Sequence, residues 1–512
     1  MTVAESTGQN GPPMTAALAR GMLPRWLPAP CLQGATLWAG GAWFASAGTR
    51  FANSSPADGQ SLPDMAEACA EDVDRAARAA RTGAAAWWAL DPSDRARLLR
   101  AVAAGLRRHA DALGWLETLD SGRPLADTRG GPARAATMFE YYAGLAERIS
   151  GRSLSTPAGR SATVDREPFG VIGAITAWNY PLGNAVTKLA PILACGNAAI
   201  LKPAEQTPLV TLLLARIMEE AGLPAGTVNM LTGGAAAGEA LVAHPLVGKI
   251  SFTGSTEVGR RIAEQAGRRL KGTVLELGGK SPMLVFADAD LELAAAAAVF
   301  TTFMNQGQTC TSCNRVLVAE TVRDRFATLC AEKLARLRIG DPFDPETQIG
   351  AIVSAEQVAR IHGILGDTRG RVLDLPHYAP SAGGHFVPPL IVEDAAPDSR
   401  VAREEIFGPV MTIRGFATED EAFRLANDTE YGLAASAWTG SLQLAEAARR
   451  RLQAGVIWIN CVHALPPGAP VSGHKASGMG SEYGQEAEEQ YMRIKTTVTY
   501  AAGWRSPFEP AA

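Results

Sequence analysis

The chain has 512 residues, 47% of them hydrophobic and 20% charged, with a net charge of −4 at pH 7. This composition excludes a disordered or fibrous chain, and the length exceeds what a single core usually serves. There is no basic field for nucleic acid and no apolar run of about 18 residues for a membrane span, so a small-molecule partner is expected.

The opening, "MTVAESTGQNGPPMTAALARGMLPRW", has acid, Gly and Pro where a secretory leader needs a basic end and a clean apolar run. Residues 1–29 therefore read as a loose extension, and the protein as cytoplasmic. Seven scattered cysteines fit a reducing compartment better than a disulfide framework. Residues 66–116 carry apolar side chains at helical spacing, with Ser93 and Asp94 as a plausible cap. The pair Trp87–Trp88 suits a core or an interface.

From Val171 the texture changes. Apolar runs at 171–178, 198–203, 227–233 and 248–255 alternate with helical segments. The pattern repeats at 273–277, 282–288 and 315–320, around an Ala-rich helix at 291–303, and then at "PVMTIRGF" and "GVIWIN". Apolar strands separated by helices predict parallel sheets covered on both faces, in two α/β units.

Four segments carry chemistry. In "KISFTGSTEVGRRIAEQ" a buried strand meets Gly254 and Ser255 and then a helix start, which offers N–H groups and a positive dipole end to phosphate. The middle glycine of the dinucleotide fingerprint is missing, so an ordinary strand–helix turn competes, as does "LTGGAAAGEA" at 231–240. Glu276, in "VLELGGKSP", is an acid in an apolar strand. It reads either as a general base with raised pKa or as a strand-end acid paired with a basic residue. Asn179 follows a strand end, as an amide donor to an oxyanion or as a turn residue. In "FTTFMNQGQTCTSCNRVLV" Cys310 and Cys313 form C-x-x-C. It does not open a small thioredoxin-like unit. His362, His377, His385 and Cys330 offer no second pair for zinc, so no metal is expected. A single working thiol remains, and it needs activation, since a free thiol is only about 3% thiolate at neutral pH.

Together these segments resemble the aldehyde dehydrogenase superfamily over roughly residues 35–503. The motifs are "WNYP" 178–181, "LKPAEQTP" 201–208, "FTGSTEVG" 252–259, "LELGGKSP" 275–282, "NQGQTC" 305–310, "EEIFGPV" 404–410 and "SGMGSEYG" 477–484, in the family's order and spacing. The resemblance implies Cys310 as nucleophile and Glu276 as general base, with Asn179 and the Cys310 N–H as oxyanion hole. Lys188 and Glu482 match the family's proton relay. Lys202 and Glu205 match the adenosine-ribose positions, and Gly254–Ser255 the pyrophosphate site. Glu405 and Phe407 match the nicotinamide-ribose and ring positions, and Trp178 lines the cofactor cleft. A carboxylate at Glu205 favours NAD over the 2′-phosphate of NADP. Lys202 softens that repulsion, so some NADP use is compatible.

The resemblance also implies the reaction. Cys310 attacks the aldehyde, hydride leaves to the nicotinamide, and water activated by Glu276 hydrolyses the thioester rather than yielding it to coenzyme A. The implied fold is α/β and aldehyde dehydrogenase-like. A Rossmann-like cofactor domain covers 30–152 and 170–276, and an α/β catalytic domain covers 277–478. A small β oligomerisation element with the C-terminal tail covers 153–169 and 479–512. A homodimer or homotetramer is expected.

Departures from the family concern the substrate. Thr187 stands where many relatives carry Trp, and Val462 where betaine-aldehyde enzymes have an aromatic, leaving Tyr180 as the main aromatic. With Ala464, Leu465 and Val471, and His463 as a polar exception, this predicts a roomy apolar tunnel for a medium or bulky aldehyde, aliphatic or aromatic. The alternatives are a semialdehyde dehydrogenase, which needs a cation in the tunnel, an aminoaldehyde or betaine-aldehyde dehydrogenase, which needs an aromatic cage, and, more distantly, a non-catalytic protein on this scaffold. Cys313 reads either as a reversible disulfide partner protecting Cys310 or as a small buried filler. Reversibility of peroxide inactivation in a Cys313→Ser variant separates the two.

Overall fold

The computed structural model describes residues 15–373, 383–501, 504 and 506–508. His377 and most of the tail after Tyr500 lie outside the described residues. Three sheets position the site. The first has eight strands in the order Ala42–Phe44, Leu37–Ala39, Val228–Met230, Ala198–Lys202, Val171–Ile175, Lys249–Thr253, Gly272–Glu276, Gly478–Met479. Its five central strands are parallel, and the order reverses between Val171–Ile175 and Lys249–Thr253. Ligands of such sheets gather in the crevice outside the strand ends at that reversal. Trp178 and Asn179 follow one of the two strands, and Gly254 and Ser255 follow the other.

These strands are apolar along their length because helices cover both faces. Val171–Ile175 and Ala198–Lys202 are buried at every position. The helix Pro181–Ala194 packs beside them, with Leu182, Leu189 and Leu193 in the core. Gly173 allows close packing: a Cβ there would meet Ile250, Leu241 and Val247 at 2.9–3.3 Å.

A second sheet of seven strands carries the chain from Pro282 to Ile459. Its order is Arg371–Val372, Leu390–Glu393, Val410–Phe416, Arg315–Ala319, Pro282–Val285, Ala434–Trp438, Val456–Ile459. The Ala-rich helix spans Leu291–Phe303 and is capped by Asp290, whose side chain accepts the Leu293 N–H. The third sheet is antiparallel. Met492–Tyr500 pairs along its length with Arg160–Pro168, which also pairs with Arg152–Leu154.

The described part of the N-terminal extension is not loose. Ala16–Trp26 is a helix capped by Thr15, with Ala16, Ala19, Leu23 and Trp26 buried. The 16/19/23/26 spacing is one helical face, and Trp26 stacks on Trp115 at 5.1 Å. Gly21 and Pro24 in that helix obscure the pattern in the sequence. The second difference is a cap. The helix begins at Pro92, so Asp91 is the cap rather than Ser93 or Asp94, because proline suits the first helical turn. Trp87 is fully buried, its indole N–H donating to Leu193 O at 2.8 Å, while Trp88 is half-exposed. Among the described residues no helix is long and apolar enough to cross a membrane.

Candidate active site

The Leu291–Phe303 helix ends in a strained loop. Asn305, Gln306 and Gly307 have φ of 49°, 57° and 74°. Two non-glycine residues in the left-handed region persist only where the surroundings hold them, and here side-chain bonds do so. Asn305 Nδ2 donates to Asn179 O at 2.9 Å and to Gln308 O at 3.1 Å. Gln306 Nε2 donates to Gly122 O and Ala351 O at 3.0 and 2.7 Å, and Gln308 Oε1 accepts the Val353 N–H at 3.0 Å. Gly307 lies so close to the Gly408 backbone that a Cβ would collide with it. The loop delivers Cys310, half-buried at the border of an apolar cluster that includes Phe303 and Val471, with Leu465 and Tyr483 packed against it. Burial pushes the Cys310 thiol up to about 12, helped by the nearby Glu405 and Glu276 carboxyls.

Asn179 is buried beneath this loop. Its Oδ1 accepts from Asn184 Nδ2 at 3.1 Å, which fixes the amide orientation, and one Nδ2 proton goes to Gln308 O at 3.0 Å. The second amide proton is the donor available to a reacting oxygen.

Glu276 ends the Gly272–Glu276 strand, 7% exposed, and its Oε1 is buried without a hydrogen-bond partner among the described residues. Burial raises its pKa well above the usual range. Glu482 adds to the rise, and Lys188 opposes it. Of the two sequence readings, a strand-end acid bonded to a base does not match this orphan oxygen. Two glycines follow because two groups crowd in. A Cβ on Gly278 would strike the Glu405 carboxylate, and one on Gly279 would meet Cys310 O at 2.5 Å. Lys188 is fully buried and bonds Glu482 Oε1 at 2.5 Å and Ser251 Oγ at 3.1 Å.

Several of the predicted cofactor positions follow the strand ends at the sheet reversal or contact residues that do. Trp178 and Phe407 meet edge to face at 5.1 Å, with Phe407 at φ 56°. Arg360 and Gln357 fix that backbone, donating to Glu405 O at 2.8 Å and Phe407 O at 2.9 Å. Glu405 Oε1 accepts the Gly279 N–H at 3.0 Å, and burial lifts its carboxyl to about 7. Ser255 caps the Thr256–Gly267 helix by accepting the Val258 N–H, and Gly254 N–H donates to Glu276 O at 3.1 Å. The competing turn is already engaged. Glu67 takes the Gly234 N–H at 3.0 Å, and Lys202 donates to Gly233 O at 2.5 Å. A carboxylate there disfavours phosphate. Lys202 is buried, its pKa lowered by desolvation. Glu205 is exposed, 3.9 Å from the Lys202 ammonium.

On the substrate side, Tyr180 donates or accepts at Thr309 Oγ1, 2.8 Å away, beneath the Arg123 guanidinium, which stacks 4.3 Å from its ring and is paired with Glu117. Thr187 Oγ1 meets the Tyr483 hydroxyl at 3.2 Å. Tyr483 thus adds an aromatic ring that the sequence reading did not single out. His463 meets Thr301 Oγ1 at 2.9 Å and packs against Phe300 and Trp458. Burial lowers it to about 4, so it is neutral near pH 7. Cys313 follows the turn at Cys310–Thr311 and is fully buried, its thiol raised to about 12 by desolvation, with its N–H donating to Thr301 Oγ1 at 3.1 Å.

Asn184, Asn305, Ser251 and Tyr491 also belong to this neighbourhood, and the sequence reading did not assign them. Asn305 opens the "NQGQTC" motif, which was a usable signal. The others have none, because their partners are distant in sequence.

A parallel sheet whose order reverses beside a half-buried thiol, a buried amide and a buried carboxyl points to an enzyme class that the comparisons specify. The model of the aldehyde dehydrogenase family matches residues 43–497. The chain belongs to that family. P. syringae AldA indole-3-acetaldehyde dehydrogenase, solved with NAD+ and IAA, is 35% identical at a TM-score of 0.90, covering 95% of this chain and 100% of that one. PnpE from Pseudomonas sp. WBC-3 is 38% identical at 0.89, covering 93% and 99%. Staphylococcus aureus betaine aldehyde dehydrogenase, solved with NAD+, is 33% identical at 0.90, covering 93% and 96%.

Proposed function

We propose that this protein oxidises an aldehyde to the carboxylic acid with NAD as hydride acceptor, through Cys310 as nucleophile and Glu276 as general base. The observation that carries the reading is the meeting of the Cys310 loop, the oriented Asn179 amide and the unpartnered Glu276 oxygen at the sheet reversal. Cys310 sulfur bonds to the aldehyde carbon, and the thiol proton passes to solvent water. Negative charge develops on the aldehyde oxygen, where the Asn179 amide and the Cys310 N–H donate; losing one such donor costs about 3–4 kcal/mol of barrier. NAD, when bound, supplies the hydride acceptor that converts this adduct to a thioester. Water then adds to the thioester carbon, Glu276 takes its proton, the C–S bond breaks and the sulfur leaves as the acid departs. Lys188 and Glu482 carry that proton onward.

The residues fit NAD. The helix at Thr256 opens its first-turn N–H groups at the sheet reversal. Glu205 presents an exposed carboxylate for ribose hydroxyls, and Lys202 has backbone carbonyls as partners, which leaves little to attract a 2′-phosphate. Phe407 would face the nicotinamide end, with Glu405 at its ribose and Trp178 lining the cofactor cleft. NAD is therefore preferred over NADP.

The substrate is a medium or bulky apolar or aromatic aldehyde. The support is that Cys310 borders an apolar cluster that holds Phe303 and Val471, with Leu465 and Tyr483 packed against the same cluster. A carboxylate-bearing aldehyde needs an unpaired cation, and Arg123, behind Tyr180, is neutralised by Glu117. The sheet of Met492–Tyr500 with Arg160–Pro168 serves as the oligomerisation element. The cofactor domain takes 30–152 and 170–276, and the catalytic domain 277–478.

The test is NADH formation, followed by absorbance, over aliphatic, aromatic, amino-, trimethylammonio- and carboxylate-bearing aldehydes. Preference for apolar or aromatic members is expected, with no turnover by Cys310→Ala. A trimethylammonio preference would instead make Tyr180 and Tyr483 a cation cage. A folded protein that binds NAD and oxidises no aldehyde overturns the reading.

A further inference from the structure

Lys188 is completely buried on the Pro181–Ala194 helix, and its ammonium has two recorded acceptors, Glu482 Oε1 at 2.5 Å and Ser251 Oγ at 3.1 Å. Ser251 is itself fully buried, between Ile250 and Phe252 on the Lys249–Thr253 strand. Its hydroxyl lies 2.9 Å from the hydroxyl of Tyr491, which is also fully buried. Tyr491 ends the Ala487–Tyr491 helix, and the following residue begins the Met492–Tyr500 strand. Asn197 Nδ2 holds the Tyr491 carbonyl at 2.8 Å.

A hydroxyl in the middle of an apolar buried strand costs stability unless its bonds are made. Here both bonds are made, one to an ammonium and one to a phenol. A buried ammonium needs acceptors for its donors, and a poorly held one moves or gives up its proton. Ser251 Oγ accepts from Lys188 and shares a hydrogen bond with the Tyr491 hydroxyl, in which either oxygen can donate, so Tyr491 holds the serine oxygen in place beside the ammonium. The location of the Lys188 charge matters to Glu276, because Glu482 raises the proton affinity of Glu276 and Lys188 lowers it.

We propose that Ser251 and Tyr491 are positioning residues for thioester hydrolysis, holding Lys188 where its charge offsets that of Glu482 on Glu276. The proposal rests on the reading of Glu276 as general base. Neither residue contacts the reacting atoms; both act through Lys188. The titratable groups around the pair are Glu276, Glu482, Tyr483, Tyr142, Cys195 and the Cys310 thiol, and none of these supplies a second cation. Displacing Lys188 therefore raises the proton affinity of Glu276, and the base ionises at higher pH.

The experiment uses the full chain with Ser251→Ala and, separately, Tyr491→Phe. After a single turnover with NAD and the aldehyde that the panel ranks first, decay of the acyl-enzyme is followed by intact mass from about pH 6 to about pH 9. The rising limb of decay should move to higher pH by roughly half to one unit. Below the limb, decay should slow about 3–10-fold, since one unit corresponds to tenfold. First-turnover NADH formation should not slow by the same factor. A purely structural role lowers the active fraction equally at every pH and leaves the limb in place, and that result overturns the proposal. If Ser251→Ala does not fold, Tyr491→Phe decides alone, because it keeps the buried ring and leaves the Ser251 hydroxyl bonded to Lys188. Wild-type decay that is indifferent to Glu276→Gln sinks the general-base reading and this proposal with it. Decay that depends on Glu276, with an unmoved limb in the variants, sinks the proposal only.

Discussion

A buried carboxyl oxygen without a donor works against folding, and Glu276 keeps one. Its pKa is raised in the fold, so the protonated form is the one the fold favours. Its contribution to stability is present below the ordinary carboxyl range and is lost as pH rises through the raised value. Activity runs the other way, since only the ionised group accepts a proton from water. Turnover should therefore climb from about pH 6 towards about pH 9, the direction also set by the raised Cys310 thiol. A pH–rate profile that falls over this range contradicts both assignments. Replacing Glu276 by Gln should cut steady-state turnover by about 10²–10⁴-fold while a first burst of NADH survives, as stopped-flow absorbance reads. Cys310, Glu276 and Asn179 were legible because each stands in a motif with a chemical reason for its residue type. Ser251, Asn184 and Tyr483 were not, because a serine, an asparagine and a tyrosine acquire meaning only from the residues they face, Lys188, Asn179 and Thr187.

At the scale of elements, uniformly apolar runs were read as parallel strands, and the Leu291–Phe303 helix was found at its bounds. What stayed hidden were the joints. The Leu209–Glu220 helix starts on a carboxylate brought from another helix: Asp120 Oδ2 accepts the Leu209 N–H at 2.8 Å, and Oδ1 accepts from Asn53 Nδ2 at 3.1 Å. No local pattern announces a cap borrowed across 89 residues. Removing it in Asp120→Ala leaves two buried donors bare and should cost about 1–3 kcal/mol for each, read as a lower urea midpoint at unchanged slope. An unchanged midpoint would mean that water satisfies both donors. The N-terminal helix was misread for a related reason. Its apolar face becomes visible only once Leu23 and Trp26 have a core to enter.

For the whole molecule, the Met492–Tyr500 strand pairs on one side only among the described strands, and Ile494 and Val498 are 63% and 59% exposed on it. An unpaired edge of nine residues that exposes Ile494 and Val498 invites pairing with another chain. The protein should assemble as a homodimer or homotetramer, and Ile494→Asp with Val498→Asp should shift it towards monomer in light scattering at micromolar concentration. A monomeric wild type would refute the assignment of this sheet as the oligomerisation element.

The chain also closes on itself late. Tyr142 bonds Gly484, Lys188 bonds Glu482, and Asn197 bonds Tyr491, across 342, 294 and 294 residues. During synthesis the early partners leave the ribosome long before the segment 471–500 exists. Until it arrives, the Lys188 ammonium lacks its carboxylate, the Arg160–Pro168 strand lacks one of its two neighbours, and the Gly272–Glu276 strand lacks the Gly478–Met479 edge beside it. A growing chain is thus a nearly finished scaffold with an exposed apolar seam, a species that aggregates unless it is held. The Lys188–Glu482 and Asn197–Tyr491 bonds can form only after that segment is made, so a chain halted short of it should lack activity.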